Sequence, residues 1–115
     1  MANTFTNQTV SPVATTSLVA ISPTVSSGQQ VTIIGCSLAN TGSSPITVDV
    51  AVATGVGPSW TTTTYIVKQA TVPVGGSLVV IGAEEKVVLI SGNTLVARSS
   101  TANSCDAVVS LLIIA

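Results

Sequence analysis

Residues 46–54 read Ile-Thr-Val-Asp-Val-Ala-Val-Ala-Thr, and this stretch decides the fold. Large aliphatic side chains occupy every second position, and smaller or polar residues stand between them. The aliphatic positions are Ile46, Val48, Val50 and Val52. A period of two residues is that of a β-strand, whereas an α-helix would spread the same positions around its circumference. The stretch therefore predicts a strand that turns one face toward a core.

The rest of the chain divides into similar short runs, separated by Gly, Pro, Asn and Ser, the residues that favour turns. The runs are rich in Val, Ile and Thr, which branch at Cβ and suit a pleated surface better than a helix. The other predicted strands are residues 15–22, 31–40, 61–72, 77–81, 86–90, 94–100 and 105–115. Eight strands and no clear helix predict an all-β fold, a sandwich or a small barrel, and we expect a single β-sandwich of two sheets.

The N-terminal residues differ from the rest. Residues 1–12 are polar and show no period, so they predict an extended arm that a neighbouring subunit would order. Residues 13–115 are predicted to form the one sandwich domain. No signal peptide and no apolar run near the roughly 20 residues of a membrane span are recognisable, so we expect assembly in a host cytoplasm, away from membranes.

The composition argues against an enzymatic function and against a metal or cofactor site. The chain contains no histidine, and charged residues make up 6% of it. The adjacent carboxylates Glu84 and Glu85 fit a solvated turn, and Gly75-Gly76 fits a hairpin turn better than a phosphate loop. We therefore expect no enzyme, no catalytic residue, no metal and no cofactor. A net charge of −1 without a basic patch also argues against nucleic acid as a partner.

The two cysteines, Cys36 and Cys105, stand far apart in the sequence. In a reducing cytoplasm we expect two buried, free thiols, with a disulfide as the alternative. Without histidine they fall short of the usual four-ligand metal set.

The last predicted strand is apolar on both faces, and this indicates a subunit interface. A strand of an ordinary sandwich alternates, whereas one that is apolar on both sides needs cover on both sides. In a one-domain protein the outer cover must come from another subunit. The candidate interface residues are Val108, Val109, Leu111, Leu112, Ile113 and Ile114, with Phe5 from the arm. A homo-oligomer is expected, with a trimer favoured.

Trp60 is the other candidate site residue. It follows the predicted loop at residues 55–59, where it is either an exposed functional side chain or a lid whose indole N–H finds a carbonyl. The chain has few other aromatic residues to act as platforms for sugars or nucleic acid.

Several segments together resemble a family of small virion structural proteins from tailed bacteriophages. They are residues 31–40 (VTIIGCSLAN), 46–50 (ITVDV), 65–68 (YIVK), 72–78 (VPVGGSL), 86–95 (KVVLISGNTL) and 106–110 (DAVVS). The family usually has Asp after the turn glycine, where this chain has Asn93. The resemblance implies an immunoglobulin-like or jelly-roll β-sandwich in the virion, with the major capsid protein or tail proteins as partners.

Three functions compete at this point. The favoured one is a capsid decoration or cement protein, which clamps its neighbours by burying apolar surface. The alternatives are a tail, baseplate or head-fibre module and a surface module that binds glycans.

Overall fold

The computed structural model describes residues 3–57, 59–82 and 86–114, and these residues form two antiparallel β-sheets that enclose one main core. The strands in the described ranges are β1 (Asn3–Val10), β2 (Val19–Ala20), β3 (Gln30–Asn40), β4 (Ile46–Thr54), β5 (Thr62–Val72), β6 (Ser77–Ile81), β7 (Val87–Leu89), β8 (Asn93–Ser99) and β9 (Cys105–Ile114). No helix occurs among them. The predicted all-β sandwich is confirmed.

The strand order is that of a jelly roll. One sheet has the order β1-β9-β3-β6, with β7 also paired to β3, and the other has the order β2-β8-β4-β5. Both β6 and β7 run antiparallel to β3, on successive parts of it, and so act as one interrupted edge strand. Each sheet then has four strand positions, and most connections cross from one sheet to the other. The sequence left immunoglobulin-like and jelly-roll topologies open, and this order is the jelly roll.

The core lies between the sheets and consists almost entirely of aliphatic side chains. The alternation in β4 places Ile46, Val48 and Val50 in it, at 2% exposure or less. From the other sheet, β3 and β9 contribute residues such as Ile33, Leu38 and Leu111. The strict period of two in residues 46–54 therefore reports which face of β4 is inside.

The predicted strand at residues 15–22 is much shorter in the structure. Only Val19 and Ala20 pair with β8. The ladder pairs end there, although the Ile21 N–H still donates to the Leu95 carbonyl oxygen of β8 at 2.8 Å. Ile21 lies in the main core and Leu18 on the outside of the four-stranded sheet, on opposite faces as strand alternation requires.

Residues 3–10 are extended, as predicted for the arm, but they lie in the sandwich and not outside it. They form β1, which pairs with β9 from Asn3 opposite Ile114 to Val10 opposite Ala107. Most of the side chains of β1 are exposed, so backbone hydrogen bonds hold it more than apolar burial does. The sequence could not show this, because a strand held by its backbone carries no apolar pattern.

Candidate subunit-packing surface

The side chains of β9 point alternately into the core and to the outside of the five-stranded sheet. Val109 and Leu111 are fully buried, and Ile113 packs against the core. Val108 and Leu112 point to the other face, where Val108 is 47% exposed and Leu112 is half-buried. Of the predicted interface residues, Val109, Leu111 and Ile113 therefore belong to the core of this subunit. Val108, Leu112, Ile114 and Phe5 are on the outside.

β9 is also not an edge strand. It lies between β1 and β3, and both neighbours pair with it along most of its length. Its backbone is therefore unavailable to a partner, and only its outward side chains can make contact. An interface here would be formed between faces and not between strand edges.

The outward side chains of β9 continue across the sheet in two rows. Residues directly opposite each other in antiparallel strands share a face. One row runs from Phe5 through Leu112 and Thr32 to Val88. A second row runs from Thr9 through Val108 and Ser37 to Val79. We call this surface the outer apolar face, defined by Phe5, Val79, Val88, Val108, Leu112 and Ile114.

Several of these side chains are unusually open to solvent. Phe5 is 74% exposed, Val79 66% and Val88 57%. Among the strand residues of this face that the structure describes, Asp106 is the one charge, and it lies at the end of β9, where the Ser11 hydroxyl donates to its carboxylate at 2.6 Å. The face thus lacks the charges that usually keep a free sheet surface from associating.

The sequence analysis missed Val79 and Val88. The signal was present, because residues 78–80 (Leu-Val-Val) and 87–89 (Val-Val-Leu) are apolar on both faces in the same way as β9. Each run is short, and nothing in the sequence places both runs beside β3.

The outside of the four-stranded sheet carries a second, smaller apolar cluster. Its buried residues are Leu18, Ala51, Ala53 and Val96, and Trp60 packs against them. The Trp60 indole Nε1–H donates to the carbonyl oxygen of Leu18 at 3.1 Å. Trp60 is half-buried, so it fits the predicted lid better than an exposed loop side chain. The lid covers this smaller cluster and not an end of the main core.

A cleft opens beside this lid, and we call it the Trp60 cleft. It is shallow, with a volume of about 460 Å³. Its lining residues are Ser17, Leu18, Val19, Ala20, Gly57 and Trp60. Gly57 approaches the ring so closely that a Cβ at this position would overlap Cζ2 of Trp60. The ring is therefore fixed by a hydrogen bond and by close packing.

A polar cleft of about 210 Å³ lies elsewhere on the four-stranded sheet, around Asp49 and Arg98. The Asp49 carboxylate accepts hydrogen bonds from Arg98 Nη2 at 2.7 Å and from the Gln69 backbone N–H at 2.8 Å. The hydrogen bond to Asp49 raises the pKa of the Arg98 guanidinium further above its already high value. Asp49 and Arg98 face each other on β4 and β8, so this pair stabilises the sheet across its strands.

Both cysteines are buried and free, as the sequence predicts. Burial, with a smaller contribution from the nearby Cys105, raises the pKa of the Cys36 thiol to about 12. Burial likewise raises the pKa of the Cys105 thiol to about 11, and Asp106 adds to that rise. Thiols held protonated in this way are poor nucleophiles and poor metal ligands.

Two further findings concern the described residues. They contain no group of three or more His, Cys, Asp or Glu side chains that could hold a metal ion. They also contain no helix of the length and hydropathy that a membrane crossing would need.

Comparison with known proteins gives no family. No protein-family model and no curated protein matches the chain. One solved chain that is similar belongs to Bacillus endospore appendages, described as a novel family of disulfide-linked pili. It is 17% identical, the match covers 96% of this chain and 85% of that one, and the TM-score is 0.45. A likeness this distant carries no argument about assembly or function.

Proposed function

We propose that this chain is a non-enzymatic structural subunit that packs against neighbouring subunits through its outer apolar face, as a decoration or cement protein on the capsid of a tailed phage. The observation that carries the proposal is the pair of rows across the five-stranded sheet, where exposed apolar side chains from four strands share one nearly uncharged face.

Covering the outer apolar face would lower the free energy by removing its apolar side chains from water. Removing apolar surface from water contributes about 25 cal/mol per Å², or about 1.5–3 kcal/mol for a fully covered Val, Leu or Phe side chain. The core does not use Phe5, Val79, Val88 and Val108, which remain largely exposed in the single chain. Their burial is thus available to association, where it must exceed the loss of translational and rotational freedom.

The distribution of charge supports the same proposal. The chain has three basic and four acidic residues, and the strands of the outer apolar face hold only Asp106 among them. A partner that covers the face therefore removes few charged groups from water. It avoids most of the desolvation cost of a polar interface. With no histidine in the sequence, packing and not chemistry is the work to which these residues are suited.

The virion as the location rests on the resemblance of residues 31–115 to small phage structural proteins. Its test is immunogold labelling of purified virions of the phage that encodes the chain, with an antibody raised against the isolated protein. Gold distributed over the capsid supports decoration. Gold confined to the tail replaces the capsid with a tail, baseplate or fibre module, and unlabelled virions with the protein left in the lysate contradict a virion role.

A further inference from the structure

We infer that the Trp60 cleft receives Phe5 from a second copy of this chain, so that copies associate through two different surfaces. The inference rests on the proposed function, because it names the partner of the outer apolar face. It joins an aromatic side chain that is 74% exposed with an apolar cleft that none of the described residues of its own chain fills.

Phe5 is unusually exposed for an aromatic side chain in a single subunit. It is 74% exposed on β1, a strand whose other side chains are Asn, Thr, Gln and Val. It lies opposite Leu112 and points away from the core. A lone phenylalanine on an otherwise polar, exposed strand contributes little to folding, but it is the type of side chain that anchors an interface.

The chemistry of the Trp60 cleft favours an apolar occupant. None of its lining residues is charged, and Ser17 is the only one with a polar side chain besides the Trp60 indole. The indole N–H already donates to the Leu18 carbonyl, so it is not available to a ligand hydroxyl. A glycan would leave its hydroxyl groups unpaired here, whereas an aromatic ring gains from contact with aliphatic groups and with the edge or face of Trp60.

The cleft is a shallow surface depression of about 460 Å³ and not an enclosed cavity. A ring lying against Trp60 and Leu18 would leave one side open, so the partner's β1, which carries Phe5, would have to cover that side.

The two surfaces cannot meet within one molecule. Phe5 lies on the outer face of the five-stranded sheet, and the cleft lies on the outside of the four-stranded sheet, across the core. The contact therefore joins unlike surfaces of two copies. Such a heterologous contact repeats from copy to copy and closes into a ring or continues as a filament, in contrast to a two-fold dimer.

Disulfide trapping tests this contact. The variants are Asn7→Cys and Ser17→Cys, each made alone. Asn7 is exposed on the same face of β1 as Phe5, so the Phe5 ring is kept, and the native thiols do not interfere because both are buried. We expect each variant alone to form no cross-linked dimer under mild oxidation, and a mixture of the two to form one. The matched control mixes Ser17→Cys with Val74→Cys, since Val74 is 51% exposed in the turn between β5 and β6. That mixture should form none.

A binding measurement accompanies the trapping. Phe5→Ala should weaken self-association about tenfold to a hundredfold, the equivalent of losing one covered aromatic side chain. Thr9→Ala, on the same face of β1, should change it by less than about threefold, because it removes little apolar surface.

The outcomes separate this inference from the proposed function. Self-association without the Asn7–Ser17 cross-link, or cross-linking of Asn7→Cys with itself, overturns the Trp60 contact and leaves the outer apolar face in place. A chain that is monomeric alone but binds virions overturns the second copy as partner and leaves the virion role. A chain that neither self-associates nor binds virions overturns both.

Discussion

At the scale of single residues, one carboxylate connects three strands of the four-stranded sheet. Asp49 on β4 accepts from Arg98 on β8 and from the backbone of Gln69 on β5. Gln69 has a φ of 55°, in the left-handed region, at a place where the pairing of β4 and β5 shifts register. Asp49 therefore receives a backbone N–H that the irregular ladder leaves without a strand partner.

Replacing this carboxylate should destabilise the fold. We expect Asp49→Ala to lower the free energy of unfolding by about 1–3 kcal/mol, because it leaves a partly buried N–H and the Arg98 guanidinium without their acceptor. Asp49→Asn should lose less, since an amide oxygen can still accept. Urea unfolding measures both. The control is Asp106→Ala, whose carboxylate accepts from the Ser11 hydroxyl in an exposed position, with an expected change within about 0.5 kcal/mol. Equal effects at the two positions would refute the role of Asp49.

The buried thiols make a prediction about alkaline pH. Burial raises the pKa of Cys36 to about 12 and that of Cys105 to about 11, whereas an unfolded cysteine titrates near about 8.5. Above that pH the unfolded chain loses its thiol protons and the folded chain keeps them, so the free energy of unfolding falls as pH rises toward 11. The slope is at most about 1.4 kcal/mol per pH unit for each thiol.

The measurement is urea unfolding at a series of pH values from 7 to 11, for the wild type and for a Cys36→Ala/Cys105→Ala double variant. Every other side chain is the same in both proteins, so the difference in slope isolates the thiols. We expect the wild type to lose stability more steeply above pH 9. Identical slopes would show that the thiols are not held protonated by the fold.

At the scale of elements, successive residues of β9 belong alternately to the core and to the outer apolar face. Leu111 is fully buried in the core, while its neighbour Leu112 lies on the outer apolar face. Leu111→Asp should prevent folding, because it buries an unpaired charge. Leu112→Asp should retain a cooperative β-sheet fold, with a loss of about 1 kcal/mol at most, because the new carboxylate reaches water. Far-UV circular dichroism with thermal unfolding distinguishes them, and equal damage by both would show that β9 has no free face.

The elements also show what the sequence could predict. The bounds of β4 and β6 follow from alternation and from flanking turn residues, and the structure agrees to the residue. β1 and β2 were not predictable in the same way. β1 is held by backbone pairing, and residues 13–25 divide their apolar side chains between the main core and the cluster under Trp60. Neither arrangement leaves a period in the sequence.

The candidate site was predicted in part for a related reason. Apolar residues on both sides of β9 indicated that one set faces outward, but the sequence did not show which set. That assignment depends on register against β1 and β3, which is long-range information. The same holds for Val79 and Val88, which join the surface only because β6 and β7 share one edge of the sheet.

At the scale of the whole molecule, the jelly roll gives the chain two unlike surfaces. The five-stranded sheet presents the outer apolar face, and the four-stranded sheet presents the Trp60 cleft and the Asp49–Arg98 pair. A small protein with one core usually hides such apolar side chains or surrounds them with charge. Here the charges are few, and a partner that covers the face would supply the missing burial.

Sedimentation velocity over a range of protein concentrations tests this central claim most directly. The wild type is compared with Val108→Asp/Leu112→Asp, which places two carboxylates on the outer apolar face, and with Val74→Asp, which adds a carboxylate at an exposed position in the turn between β5 and β6. We predict that the wild type and Val74→Asp form oligomers as concentration rises and that the double variant remains a folded monomer. Oligomers of the same size and concentration dependence in all three proteins would contradict the account, as would a wild type that stays monomeric and binds no virion protein.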